Sequence, residues 1–300
     1  MSLLAVGTLA YDSIETAHES RADVLGGSAT YFSLAAALYG RVALVGVVGE
    51  DFAPGDVELL RSRGIDLAGL EVARGRTFRW SGRYEPDWNT RHTLATHLNV
   101  FEHFDPKVPA EHRGARFLFL ANGSPAVQRK ALEQAIQPEF TMLDTMNLWI
   151  DIAKPALLDL LRKVDALILN DEEARMLTGE KNLLRAATKA LSLGPKHIVL
   201  KKGEHGAFLI GKGAHFALPA YPVEEVVDPT GAGDSFAGGF MGHLASGGTV
   251  DAGSLRRSML HGTATASMCV EGFGVERLAA CTRKDVDARC EELRAIVTVG

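Results

Sequence analysis

The sequence predicts an α/β fold: a mostly parallel central sheet covered by helices on both faces, with a small second β-sheet standing off it. Three observations carry this. Short apolar runs alternate with stretches of helical period. One region breaks that rhythm with two strand-like runs and no helix between them. No repeat period, low-complexity tract or charge block interrupts the 300 residues. Strand–helix alternation requires crossover connections, and crossovers make parallel strands.

The candidate strands are Leu3–Ala10, Val42–Val48, Phe117–Ala121, Thr141–Asp144, Ala166–Asn170 and His197–Lys201. Between them, Phe32, Ala35, Ala36 and Tyr39 share one helical face, as do Leu157, Leu160, Leu161 and Val164. The region that breaks the rhythm holds Thr77–Tyr84 and His92–Phe101, joined by a linker with Pro86, Asp87 and Asn89. These runs read as strands of the small sheet, whose segments fall near residues 11–24 and 74–104; an edge hairpin of the central sheet is the alternative. Alternation puts Phe78, Trp80 and Tyr84 on one face and Arg79, Ser81 and Arg83 on the other. After Gly213 the pattern turns helical, over Gly233–Ser246, Asp251–Val270 and Thr282–Ile296. The whole chain, 1–300, reads as one domain.

Composition narrows the partners. Hydrophobic residues make up 46% of the chain, enough for a large core, and charged residues 23%, as in an ordinary soluble protein. The net charge of −5 argues against nucleic acid or an anionic membrane as the main partner. The three cysteines are odd in number and form no C-x-x-C pair, which points to a reducing cytoplasm. No apolar run approaches the roughly 20 residues that span a bilayer. The start, Met1–Gly7, reads as a first strand. His92 and His97, five apart in a strand, face opposite ways, and no His or Cys pair has zinc spacing.

The most informative segment is Val227-Asp228-Pro229-Thr230-Gly231-Ala232-Gly233-Asp234-Ser235-Phe236. Pro229 and small residues precede a helical pattern containing Phe236, Phe240 and Leu244. Small residues let a ligand approach the backbone, and free N–H groups at a helix start attract anions. A carboxylate in the same turn repels phosphate unless it has a task. Phosphoryl transfer supplies one: Asp234 takes the acceptor hydroxyl's proton while the N–H groups hold charge on the phosphate oxygens. The plain alternative is that Asp234 caps the helix. Neither G-x-x-x-x-G-K-[ST] nor G-x-G-x-x-G after the first strand is present, which excludes a P-loop and weakens a dinucleotide site.

This segment resembles the second signature of ribokinase-like (PfkB) carbohydrate kinases, D-[TP]-x-G-A-G-D followed by [ST]-F. Gly26-Gly27-Ser28-Ala29-Thr30 and Val45-Gly46-Val47-Val48-Gly49-Glu50-Asp51 resemble the family's N-terminal segments, in the right order. The resemblance runs from about residue 4 to residue 295. It implies a ribokinase-like three-layer α/β fold with a small β lid, and ATP and Mg2+ as cofactors. It makes Asp234 the base and Gly231, Ala232 and Gly233 the anion hole. Asp12, Gly26 and Gly27 then bind the acceptor, and Tyr31 faces it. Asn170 and Glu173 match an N-x-x-E motif that organises magnesium indirectly; taken alone, the pair reads equally as a helix start. Lys202, Gly203 and Gly206 match the turn under the nucleotide, with Thr230 and His261 beside it. Asp228 matches a position near a monovalent-cation site, which brings in K+. Family members often dimerise through the lid.

The sugar end departs from ribose-specific members. Tyr31 replaces an Asn, Gly123 after Asn122 replaces a Glu, and His261 replaces a frequent Asn. The expected reaction is therefore transfer from ATP to a hydroxyl of a small carbohydrate. A nucleoside kinase of the same fold is the alternative, and a non-catalytic sugar or nucleotide sensor is the rival of another class.

Overall fold

Strands buried on both faces decide the architecture. In the computed structural model, which describes residues 3–211 and 215–298, thirteen strands form in chain order. They are β1 (Leu3–Val6), β2 (Ala10–Glu15), β3 (Ser20–Gly26), β4 (Val42–Gly49), β5 (Ile65–Ala73), β6 (Phe78–Tyr84), β7 (Arg91–His97), β8 (Phe117–Leu120), β9 (Phe140–Asp144), β10 (Ala166–Asn170), β11 (His197–Lys201), β12 (Ala207–Gly211) and β13 (Phe216–Leu218). Nine make a sheet in the order β13-β12-β11-β10-β9-β8-β1-β4-β5. It is parallel from β11 to β5, and antiparallel where β12 and β13 close one edge.

The strands of this sheet are apolar on both faces, and each face has its own core. Ala5, Phe119, Met142, Ile168 and Val199 meet Phe32, Phe240 and Met259 on one side. Val6, Leu120, Leu143, Leu169 and Leu200 meet Leu157, Leu160 and Ala187 on the other. Phe32 and Phe119 stack at 3.9 Å, fixing the helix Ser28–Ala37 against the sheet. Helices on both faces of a parallel sheet make the three-layer α/β fold that the sequence predicts.

β3, β2, β6 and β7 form a separate sheet, in that order. β2 pairs with β3 antiparallel and with β6 parallel, and β6 pairs with β7 antiparallel. The two runs near residues 78 and 92 therefore do not make an edge hairpin of the central sheet.

Several boundaries differ from the expectation. The first strand stops at Val6, because the chain leaves the central sheet there and starts the small one at Ala10. β7 ends at His97 and a 3-10 turn over Asn99–His103 follows, its Phe101 buried against Phe78 and Phe104. The change to helix does not come directly after Gly213, a residue outside the described ones. Phe216–Leu218 pairs with β12 first, and the helix begins at Ala232. The three expected C-terminal helices run over Ala232–Gly247, Ala252–Cys269 and Arg283–Val297, with a short fourth, Glu276–Ala280, between the last two.

Candidate active site

The sheet prepares the site by parity. In β9, β10 and β11, Met142, Ile168 and Val199 face one core, so Asp144, Asn170 and Lys201, two residues on, fall on the same face at the strand ends. The helix Ala232–Gly247 packs on that face through Phe236 and Phe240. The chain leaves β1 toward β4 on one side and later returns to β8 on the other. Such a reversal opens a crevice at the carboxyl ends of the strands. A cavity lies there, lined among others by Thr8, Asp12, Tyr31, Asn122, Trp149 and Asp234.

The wall around Asp12 is built on two glycines. A Cβ at Gly26 would lie 2.0 Å from Asp12 Oδ2, and one at Gly27 2.6 Å from the Thr8 carbonyl. Gly27 also has φ +94°, a conformation that favours glycine. Asp12 is buried and its pKa is pushed up to about 8, by burial first and by the charges of Asp228 and Asp234, against a hydrogen bond from the Gly27 N–H. Tyr31 lines the cavity but is 1% exposed, with its ring against Gly231 and its hydroxyl without a partner. Its aromatic face is thus occupied, and its hydroxyl is buried with no partner among the described residues. Asn122 accepts from Trp149 Nε1 at 3.1 Å, with Gly123 beside it in the wall.

The turn Asp228–Asp234 borders the same cavity. Asp228 is fully buried; its carboxylate accepts from the N–H groups of Thr230 and Gly274, both at 2.9 Å. Gly231 has φ +75°, and a Cβ there would lie 2.3 Å from the Tyr31 ring. The helix start leaves the N–H groups of Gly233 and Asp234 without a main-chain partner among the described residues. Such groups at the positive end of a helix dipole suit an anion. Asp234 is partly exposed to the cavity. Burial and the Asp144 charge raise its pKa to about 7, against Lys201 and Arg91.

Asn170 and Glu173 form a capping box. The Asn170 side chain accepts from the Glu173 N–H at 2.8 Å, and Glu173 accepts from the Asn170 N–H at 2.7 Å. A helix cap alone explains their spacing. It does not explain why Glu173 is buried, with a pKa raised to about 7 by burial, against the Lys201 charge.

Lys202, Gly203 and Gly206 form a turn after β11, closed by Lys202 N–H on the Gly206 carbonyl at 2.8 Å. Lys202 Nζ lies over the Phe208 ring at 5.0 Å, away from the carboxylates. Its neighbour Lys201 is the one that meets them, with Nζ 3.8 Å from Asp144. Burial works against its charge, yet Asp144, Glu173 and Asp234 together raise its pKa. His261 does not line the cavity. It is buried in the helical layer, stacked on His243 at 4.0 Å and 3.2 Å from the Tyr39 hydroxyl.

Three residues of the site escaped the sequence reading: Lys201, Asp144 and Arg91. For the first two the signal was strand parity, which separates Lys201 from Lys202. Arg91 lines the cavity from β7, whereas Arg79 and Arg83 turn away to Asp51 and Glu15.

The chain matches the model of the pfkB family of carbohydrate kinases over residues 3–280. A cytidine kinase of Thermococcus kodakarensis is 28% identical over 253 residues, covering 82% of this chain and 90% of that protein. A 2-dehydro-3-deoxygluconokinase of Thermoproteus tenax is 30% identical over 240 residues, 74% of each chain. A ribokinase-like protein of E. coli, solved with ATP and Mg2+, superimposes with a TM-score of 0.79 at 18% identity, over 97% of this chain and 99% of the other. Family match, fold and glycine turn agree, and the chain belongs to the pfkB family of carbohydrate kinases.

Proposed function

We propose that this chain transfers the γ-phosphoryl group of ATP to a hydroxyl of a sugar or nucleoside, with Asp234 as the base. One observation carries the reading: a carboxylate with a pKa near 7 stands at a helix start where the Gly233 N–H has no main-chain partner among the described residues, in the same cavity as Asp12. A base poised near the working pH is ionised often enough to act and basic enough to take a proton.

Asp12 and the Gly26–Gly27 backbone hold the acceptor. Asp234 takes the proton of the hydroxyl as its oxygen bonds to the γ-phosphorus and the bond to the ADP oxygen breaks. The N–H groups of Gly231 and Gly233 hold the charge on the transferring oxygens, whereas that of Ala232, expected to share in this, donates to the Pro229 carbonyl at 3.2 Å. Lys201 keeps Asp144, Glu173 and Asp234 from repelling a polyphosphate. The buried Glu173 and Asp144 are the carboxylates that would hold magnesium, directly or through water, and it would supply positive charge to the phosphates. Thr230 and the Lys202–Gly206 turn form the nucleotide side. The small sheet is the lid that excludes water.

A nucleoside acceptor is favoured over an open-chain sugar acid by the cavity wall. Phe78, Trp80 and Trp149 offer flat apolar surface, suited to a base. The cytidine kinase relative agrees with this. The deciding experiment is a coupled ADP-release screen with magnesium over pentoses, hexoses, sugar phosphates, 2-dehydro-3-deoxygluconate and nucleosides. Acceptor-dependent ADP release is expected. A chain that binds ATP yet releases no ADP with any acceptor is a sensor.

Three finer features belong to the same reading. Potassium raises the rate over sodium, because Asp228 ties the glycine turn to the loop at Gly274; equal rates in the two salts remove the idea. A second copy docks on the small sheet, where Leu94 is 51% exposed, and sedimentation tests it. The three cysteines are free and buried, as suits a reducing cytoplasm.

A further inference from the structure

We infer that Arg91, carried by the small sheet, contacts the transferring phosphoryl group, and that the hairpin contact of Asn89 with the Gly203–Glu204 turn holds it there. The inference rests on the kinase reading above and adds a residue to its chemistry.

The placement follows from strand register. Arg91 pairs with Tyr84 across β6 and β7. Residues directly opposite on antiparallel strands share a face. Tyr84 faces the cavity, and its hydroxyl accepts from Thr230, one residue before Gly231, at 3.3 Å. Arg91 therefore stands over the glycine turn, where an arriving phosphoryl group would sit. It lines the same cavity as Asp234. Its guanidinium lies 5.8 Å from the Trp80 ring.

Charge pairing separates Arg91 from its neighbours. Arg79 reaches Asp51 at 3.0 Å and Asp23 at 3.1 Å, and Arg83 reaches Glu15 at 3.6 Å. Arg91 has no carboxylate within ion-pair distance among the described residues. An exposed arginine is usually a solvated one. This one is an unpaired cation in the wall of an acidic cavity, and its charge is felt at Asp234 and Glu173. A guanidinium offers paired N–H donors that match phosphate oxygens.

The hairpin that carries Arg91 is tied down on the nucleotide side. Asp87 accepts from the N–H groups of Asn89 and Thr90 at 3.0 and 2.8 Å, which shapes the tip. Asn89 Nδ2 donates to Glu204 at 3.0 Å, and a Cβ at Gly203 would lie 2.5 Å from Asn89 Oδ1. The lid tip thus rests on the turn assigned to the nucleotide. Asn89 acts through Arg91 and is a positioning residue.

Two measurements on the full chain test this. The first needs no acceptor: calorimetry of MgATP and MgADP on the parent, Arg91→Ala and Arg91→Lys. Contact with the γ-phosphoryl predicts that Arg91→Ala loses about tenfold of the preference for ATP over ADP, roughly what one charged hydrogen bond gives. An unchanged ATP-to-ADP ratio overturns the inference, whatever the acceptor screen finds. The second is steady-state ADP release with an acceptor from that screen. Arg91→Ala should lose about 10²-fold in kcat or more with its melting temperature kept, and guanidinium in solution should restore part of it. A loss confined to acceptor KM, or no rescue, also counts against it. Asn89→Ala should lower kcat in the parent and change nothing further in Arg91→Ala; independent, multiplying losses detach Asn89 from Arg91. A parent that binds ATP but releases no ADP sinks the kinase reading alone, because the ATP-to-ADP ratio still decides the contact.

Discussion

The Thr230 hydroxyl donates to the Tyr84 hydroxyl at 3.3 Å, joining the glycine turn to the small sheet. Both residues are buried, so the bond has little water to compete with it. Tyr84→Phe leaves the Thr230 hydroxyl without that acceptor, a loss of about 1–3 kcal/mol for a buried group. It also loosens the sheet over the site. The expected result is a lower melting temperature and a larger fraction of ATP hydrolysed without acceptor, since water enters. A variant with parent-like stability and no extra hydrolysis shows that the contact does not hold the sheet closed.

Asp12 makes stability depend on pH. Its folded pKa of about 8 lies above the unfolded value of about 3.9. Between these values the native state keeps a proton that the unfolded chain releases. The stabilisation is therefore full below about pH 4 and lost as pH rises through about 8. Asp12→Asn has no proton to lose. Its melting temperature relative to the parent should rise from pH 5 to pH 8.5, while acceptor KM worsens. A relative melting temperature that falls over that range contradicts the assignment of Asp12 as a buried acid.

The legible parts of this molecule are local in sequence. The glycine turn ending at Asp234, the Gly26–Gly27 pair and the helical faces at Phe32 and Leu157 each lie within a few residues. The aromatic alternation of Phe78, Trp80 and Tyr84 was readable too, and all three line the cavity. Asp144, Lys201 and Arg91 were not, because each comes from a different strand: the order of the central sheet brings the first two together, and the small sheet carries Arg91. Lys201 and Lys202 are chemically identical neighbours, and choosing between them needs the face to which Val199 points. β13 has three residues, too few to show a period. Asn170 and Glu173 show the opposite case: their spacing stands out in the sequence, yet a capping box accounts for it without any ligand.

Lys201 is the charge that keeps three acids compatible. Lys201→Met leaves Asp144, Glu173 and Asp234 without their buried cation. Removing one partner of a buried ion pair costs about 3–5 kcal/mol. Here the acids can escape by taking up protons, so the deficit should be smaller at pH 5.5 than at pH 8. For the same reason the acid limb of the pH–rate profile should move to higher pH, because Lys201 holds the Asp234 pKa down. Melting curves at both pH values and a kcat/KM profile check this. A deficit independent of pH with an unmoved limb removes Lys201 from the charge balance.

Asp234→Asn separates a base from a cap. Asn has nearly the same shape and is itself a good N-terminal cap, so the helix Ala232–Gly247 should keep its start. What is lost is proton affinity. A base role predicts a fall in kcat of roughly 10²–10⁴ with KM little changed, because the lost interaction belongs to the transition state. In the parent, kcat/KM should fall as pH drops below about 7, where Asp234 takes up its proton. That limb should vanish in the variant. Stability moves the other way: an acid whose pKa is raised on folding destabilises the native state once ionised, so the variant should melt at least as high as the parent at pH 8. ATP binding should hold or tighten, since a negative charge beside the phosphates is gone. A variant that melts like the parent, keeps more than about a tenth of its kcat and retains the acid limb shows that the proton leaves through another group.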